Sequence, residues 1–354
     1  VNLAVNFYPL ARKLLFQLDA EKAHDLSLVF FHHFPWAASF FAGQEIDSRF
    51  EVNCAGMTWP FPVGLAAGLD KNASAIDFFS RLALGSIEIG TVTRLPQDGN
   101  PKPRLFRYPE LEAIRNSMGI NNPGMDTVHD NLLTSLGKRR GRAIGVNLSK
   151  NKMTSVSGAP EDYRVLYEKF APVADYLVIN VSSPNMPGLR DFQKGELLSD
   201  VLSAVQEVRT KCFRPLFVKI APELGAADIK SIVEISKKFS LNGIIATNTI
   251  KLDGWGEGGV SGKPLAGPSR QARKYVIEAL KECPGMELIG VGGFFSFDDV
   301  WQFFLDGGKC LQVYTSFIYR GPALLREIRD GLTKTLSTHH LRNLDELFSH
   351  IKDI

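Results

Sequence analysis

Eight short apolar runs, rich in β-branched residues and each closed by glycine or polar residues, punctuate the chain between residues 62 and 315. They are Pro62 to Ala66, Ser86 to Thr91, Ala143 to Leu148, Tyr176 to Val181, Leu216 to Ile220, Gly243 to Ala246, Glu287 to Val291 and Cys310 to Val313. Between them lie segments of helical periodicity, such as Glu196 to Arg209 (Leu197, Leu198, Val201, Leu202, Val205, Val208) and Ile229 to Phe239. Strands alternating with helices predict parallel pairing, because a parallel neighbour is reached only through a long crossover. Strands apolar along their whole length are buried on both faces, which suits an open doubly wound sheet or a closed barrel with helices outside. The count of eight favours the barrel. So do the polar strand ends, since an open sheet gathers its site at one switch point, whereas here nearly every strand contributes. The expected fold is therefore α/β, a (β/α)8 TIM barrel.

Those strand ends read Gly68-Leu69-Asp70-Lys71, Thr91, Asn147, Asn180-Val181-Ser182-Ser183-Pro184-Asn185, Lys219, Thr247-Asn248-Thr249, Gly292-Gly293 and Tyr314-Thr315. The fourth is the most telling. It sets hydroxyls and carboxamides at the end of a rigid buried strand, where a barrel presents its chemistry. A Ser-Ser-Pro-Asn stretch alone is ordinary turn chemistry; its repetition around a barrel mouth is not. A lysine at a buried strand end, as at Lys71 and Lys219, calls for a partner, since an unpaired ammonium there costs several kcal/mol.

Composition excludes several classes. A chain of 354 residues, 44% hydrophobic, can fill a large core and exceeds one typical barrel by a small module. The net charge of +3 is spread along the chain, so no nucleic-acid partner is expected. Cys54, Cys212, Cys283 and Cys310 have no metal-ligand spacing, which predicts reduced thiols and no bound metal.

The first fifty residues are of another kind. Leu3 to Leu18 and Leu26 to Phe41 are crowded with leucine and aromatics and read as short helices. The second contains His32, His33 and Pro35, and a membrane span needs about 20 apolar residues, so it is not expected to cross a bilayer. Two readings are open: a cap packed on the barrel, or amphipathic helices presenting apolar surface to a membrane interface or a lipophilic ligand. The expected organisation is a helical module over 1–50, a barrel over 51–336 and a tail over 337–354.

An ordered set of motifs resembles the dihydroorotate dehydrogenase family, and within it the membrane-associated, quinone-using class. The set runs through almost the whole chain: Phe7-Tyr8-Pro9, Leu15-Phe16-Gln17-Leu18-Asp19, Ala23-His24, Gly64 to Lys71, Ile87 to Thr93, Asn116-Ser117-Met118-Gly119, Asn121-Asn122, Gly145-Val146-Asn147, Asn180 to Asn185, Val218 to Pro222, Ala246 to Thr249, Gly290 to Gly293 and Tyr314-Thr315. The resemblance implies oxidation of dihydroorotate to orotate in pyrimidine synthesis, with FMN as the resident cofactor and a membrane quinone as oxidant, and requires no protein partner. Ser183 matches the family's base, and serine there, where soluble relatives carry cysteine, supports the quinone class. Lys71, Asn116, Ser117, Met118, Gly119, Ile120, Asn180, Asn185, Asn248 and Thr249 match substrate contacts. Ala67, Gly68, Leu69, Asp70, Lys71, Thr91, Asn147, Asn180, Lys219, Thr247, Gly262, Gly293, Tyr314 and Thr315 match FMN contacts, with Gly292 beside them. Gln17, His24, Arg107 and Tyr314 match polar positions of a quinone tunnel formed with the N-terminal helices. The implied location is peripheral, on the cytoplasmic face of a bacterial inner membrane, an Arg-rich and Ser-rich leader being absent; a trimmed eukaryotic protein would sit on the mitochondrial inner membrane.

The chain departs from the family pattern at two positions flanking the serine. Met186 stands where threonine is usual and Ile120 where an aromatic is usual; a thioether relays no proton, so a different or slower proton path is expected. The glycine-rich stretch Lys251 to Gly259 reads as a lid. Two other functions compete. Another FMN-dependent barrel oxidoreductase, acting on a 2-hydroxy acid, would need a histidine base, and no histidine follows a strand. A non-catalytic barrel scaffold predicts loss of Ser183, Lys71 or Lys219, and all three are present.

Overall fold

The computed structural model describes residues 7–42 and 46–351. Eight parallel strands close into a barrel in sequence order: β1 (Val63–Leu65), β2 (Ser86–Val92), β3 (Ala143–Leu148), β4 (Tyr176–Asn180), β5 (Leu216–Ile220), β6 (Gly243–Ala246), β7 (Glu287–Val291) and β8 (Cys310–Val313). Closure is explicit in the register, with Leu311 of β8 opposite Val63 of β1. All eight expected runs are strands, and they differ from the expectation by one residue at most at either end. Strand burial is nearly complete; every residue of β3, β4, β5, β6 and β8 is buried, as continuous apolar runs require.

The surrounding helices bury one stripe each. Gly195–Arg209 buries Leu198, Val201, Leu202, Val205 and Val208, the spacing of one helical face. Each such side chain contributes about 1.5–3 kcal/mol on burial; truncating Leu202, fully enclosed, to alanine would cost about 2–5 kcal/mol. At the C-terminal end Leu344–His350 also folds back, with Leu344 and Leu347 buried and Phe348 edge-on to Phe304.

Two features have no counterpart in the eight-run pattern. A hairpin, Val52–Cys54 with Met57–Trp59, plugs the N-terminal end of the barrel, where Trp59 and Cys54 pack with Tyr176 and Phe217. At the opposite end a three-stranded antiparallel sheet joins Leu105–Tyr108, Ala113–Asn116 and Gly259–Gly262, with Gly259 opposite Asn116.

The N-terminal module is built chiefly from α1 (Tyr8–Leu15) and α2 (Ala20–His33), with one short helical turn, Ser39–Ala42, further on. Residues 3 to 6 of the first expected helix lie outside the described residues. The second helix starts earlier than the aromatic run suggests, because the Asp19 carboxylate accepts from the amides of Glu21 and Lys22 and caps it. It stops before Pro35, which opens a 3-10 turn, Pro35–Ala38. A buried ion pair fastens α2 to the barrel: Arg104 donates to Glu21 at 2.8 Å, and its other nitrogen reaches the carbonyls of Asp98 and Asn100. Arg107 donates to the Leu15 and Leu18 carbonyls and lies 4.5 Å over the Phe16 ring.

Candidate active site

The polar strand ends converge on one cavity at the C-terminal mouth of the barrel. It is lined by Ala67, Gly68, Lys71, Thr91, Asn116, Met118, Ile120, Asn180, Ser183, Asn185, Lys219, Thr247, Asn248, Thr249, Gly262, Gly292, Gly293, Tyr314 and Thr315. Five residues of the expected substrate and cofactor set stand behind the wall. Asn147 lies beneath Thr91 and Asn180. The Asp70 carboxylate is turned onto the amides of Ser74 and Ala75. Leu69 faces a second cavity, and Ser117 and Gly119 support the segment that carries Met118 and Ile120.

At the centre of the mouth the side chains form a fixed lattice. Asn147 Oδ1 accepts from Thr91 Oγ1 at 2.6 Å and from Asn180 Nδ2 at 2.9 Å. Asn180 Oδ1 accepts from Ser182 Oγ at 3.0 Å, and Asn248 Nδ2 donates to the same hydroxyl at 3.0 Å. Hydroxyls that give and accept in a closed chain hold each amide in one orientation. Ser183, 7% exposed, accepts from the Asn185 amide at 3.3 Å. Asn185 Nδ2 donates to Asn116 Oδ1 at 2.8 Å. Asn185 Oδ1 and Thr249 Oγ1 are buried with no partner among the described residues, although both residues line the cavity. Such atoms are costly unless a ligand completes them.

Polar residues outside the expected set also shape this site: Ser261, Gln312 and Ser316 line it, and Glu88 and Arg104 act from behind it. Glu88 sits inside the barrel on β2, where its carboxylate takes Asn147 Nδ2 at 2.8 Å, Gln312 Nε2 at 2.8 Å and the Lys219 ammonium at 3.5 Å. The signal for Glu88 was a lone acid at inward period two within Ser86 to Thr91; for Gln312, a lone amide within Cys310 to Val313. Arg104 was hidden because its partner, Glu21, lies 83 residues away in the sequence.

Electrostatics separate the two lysines. Lys219 is paired with Glu88. Lys71, whose Nζ donates to Asn121 Oδ1 at 2.6 Å, is pushed down to about 8, first by burial and then by the Arg104 cation, with Glu21 and Asp25 opposing. Burial, with Lys71 behind it, lowers His24 to about 4, so its ring is neutral near pH 7.

A second, mostly apolar cavity lies between α1, α2 and the barrel, lined by residues that include Leu15, Phe16, Ala20, Leu28, Phe31, Leu69, Phe79 and Phe317. His24, Arg107 and Tyr314 border it, whereas Gln17 is exposed and outside its lining. His24, Leu105 and Tyr314 line both cavities.

Known proteins resemble this chain in sequence and in fold. A family profile described as dihydroorotate dehydrogenase matches residues 49–336. A quinone-dependent dihydroorotate dehydrogenase of Vibrio parahaemolyticus is 41% identical, covering 92% of this chain and 99% of its own. One from Gloeobacter violaceus is 39% identical over 97% and 98%. The crystal structure of the Eimeria tenella dihydroorotate dehydrogenase with ferulenol superposes with a TM-score of 0.84 at 33% identity, covering 93% of this chain and 94% of that one. By profile, sequence and fold, the chain belongs to the dihydroorotate dehydrogenase family.

Proposed function

We propose that the protein oxidises dihydroorotate to orotate, with FMN held in the barrel mouth and a quinone received in the apolar cavity. The observation that carries this reading is the placement of Ser183, a ring of asparagines and a glycine-lined pocket in one cavity, with an apolar cavity separated from it by His24, Leu105 and Tyr314.

Making the C5–C6 double bond requires loss of a proton from C5 and a hydride from C6. Ser183 is the base for the C5 proton. A hydroxyl is a weak base, so it works through position and desolvation; its burial and the fixed Asn185 amide serve both. Asn116, Asn180, Asn185, Asn248 and Thr249 present the mixed donors and acceptors that the pyrimidine ring needs, and the partnerless Asn185 and Thr249 oxygens fit its N–H groups. Lys71, on the cavity wall, would face the substrate carboxylate.

The residues also fit FMN. The Gly292 and Gly293 amides have no acceptor among the described residues, Gln312 Oε1 is buried without a partner, and the Lys219 ammonium borders the cavity. Glycine is required at the first two, since both have positive φ, and a Cβ at Gly293 would stand 2.4 Å from Ala266 Cα. When bound, FMN accepts the hydride and passes electrons to the quinone. Lys219 would lie near the ring edge that gains negative charge, and Gly262, Gly292, Gly293 and Thr315 near the phosphate.

The N-terminal module supports peripheral contact with a membrane. No helix among the described residues is long and apolar enough to cross one. Leu10, Leu14, Leu26, Val29, Phe30, Trp36 and Phe40 are all exposed on the module, an apolar surface suited to the bilayer interface.

The test is spectroscopic. Anaerobic dihydroorotate should bleach the flavin and a soluble quinone should restore it. A flavin that dihydroorotate leaves oxidised would sink the assignment.

A further inference from the structure

Arg273 belongs to the helix Ala266–Leu280, on its buried stripe with Ser269, Ala272 and Val276. An arginine at a core position requires compensation. It is 5% exposed, and no carboxylate among the described residues pairs with it; Asp306, whose field reaches it, is bonded to Arg270 at 2.9 Å and approached by Lys274 at 3.8 Å. Its Nε has no acceptor. What it does have is backbone: Nη1 donates to the Val291 carbonyl at 3.1 Å and to the Gly292 carbonyl at 2.8 Å. The guanidinium also sits 4.5 Å from the Phe294 ring centre and 5.6 Å from that of Phe303.

In a trans peptide the carbonyl and the following amide point in opposite directions. The carbonyls of residues 291 and 292 lie toward the helix, the first held also by the Thr247 amide at 2.9 Å and the second by Arg273, and the amides of Gly292 and Gly293 therefore point the other way. Both residues line the barrel-mouth cavity, and neither amide has an acceptor among the described residues. The cation behind the two peptides also adds to the positive potential that these amides present.

We propose that Arg273 is a positioning residue for a phosphate monoester: it clamps the Val291–Gly292–Gly293 backbone from behind so that two amides and a buried positive charge face the phosphate. This rests on the reading that FMN occupies the mouth, and it adds a residue that touches neither ring nor phosphate. It contributes to phosphate affinity and not to recognition of the flavin ring.

Riboflavin, which has the same ring without the phosphate, separates these terms. FMN affinity is read from flavin fluorescence on dilution of the holoenzyme, and riboflavin affinity from titration of stripped protein. Arg273→Met is expected to weaken FMN about tenfold, the scale of a charge-assisted contact, and to leave riboflavin within about twofold. Arg273→Lys keeps the charge but not the paired geometry, and should give a smaller FMN loss with riboflavin again unchanged; it serves alone if the methionine variant does not fold. Equal loss of both flavins, or no loss of FMN, overturns the proposal. A wild-type protein that binds riboflavin as tightly as FMN would instead overturn the phosphate site itself.

Discussion

Glu88 and Lys219 meet inside the barrel at 3.5 Å, with side chains 0% and 6% exposed, directly below the ring of strand-end amides. The pair is embedded in a network that includes Asn147, Gln312 and Tyr176. Breaking a buried pair by removing one partner costs about 3–5 kcal/mol, so Lys219→Met should lower the melting temperature markedly.

Glu88→Gln is the informative change. Both Glu88 oxygens face donors, so the Gln312 amide must turn over to present its oxygen to the new amide; hydrogen bonding then survives while the negative charge goes. Left without its counter-charge, Lys219 favours the reduced, anionic flavin more strongly. The two-electron equilibrium should shift toward reduced flavin about tenfold, or about 30 mV upward. A dye-coupled reductive titration reads this, and an unchanged or lowered potential would refute it.

Met186, 3% exposed, brings its sulfur 4.0 Å from Gln97 Nε2, and Gln97 also donates to the Gly119 and Ile120 carbonyls at 3.0 Å. A thioether beside this polar group, three residues after the proposed base, is a poor link for a proton. Met186→Thr should raise the rate of flavin reduction or move its pH profile. If anaerobic stopped-flow finds both unchanged, Met186 does not limit proton departure.

Lys71 is pushed down to about 8 in the free protein, chiefly by burial. A cation is needed opposite a carboxylate, so kcat/KM for dihydroorotate should fall as pH rises through about 8. The bound substrate holds the proton on, so kcat should not follow it there. Lys71→Gln should lower kcat/KM at neutral pH and abolish this alkaline fall; persistence of the fall would assign it to another group.

His24 is held near 4, mainly by burial, against an ordinary value of 6.5. The unfolded chain therefore takes up a proton on this residue between pH 6.5 and 4 while the native protein does not. Stability is complete above 6.5 and falls through that window, by about 3 kcal/mol at its acid end. His24→Gln should flatten the acid limb of urea unfolding midpoints plotted against pH. An unaltered limb would show that His24 does not titrate as its burial implies.

The strands were legible because a barrel strand carries its own signal, an apolar run ended by polar residues, and Tyr176–Asn180 needs no partner to be recognised. Ser183, Lys71 and Asn248 were visible as strand-end chemistry. The antiparallel sheet was not, because Ala113–Asn116 pairs with Gly259–Gly262, nearly 150 residues away, and neither piece alternates long enough to stand out. Arg104 and Arg273 were illegible for a related reason: what matters about each is a distant partner, Glu21 in one case and two backbone carbonyls in the other. That the Asp70 carboxylate caps Ser74 and Ala75 was not legible either, since this use is decided by the turn that follows it.

His24, Leu105 and Tyr314 are common to both cavities. Cavities that share side chains adjoin, so electrons would have only a short distance to cross between the occupants proposed for them. On the proposed function, a water-soluble reductant and an oil-soluble oxidant would each have a cavity suited to its own polarity, one lined by amides and hydroxyls and the other mostly by apolar side chains.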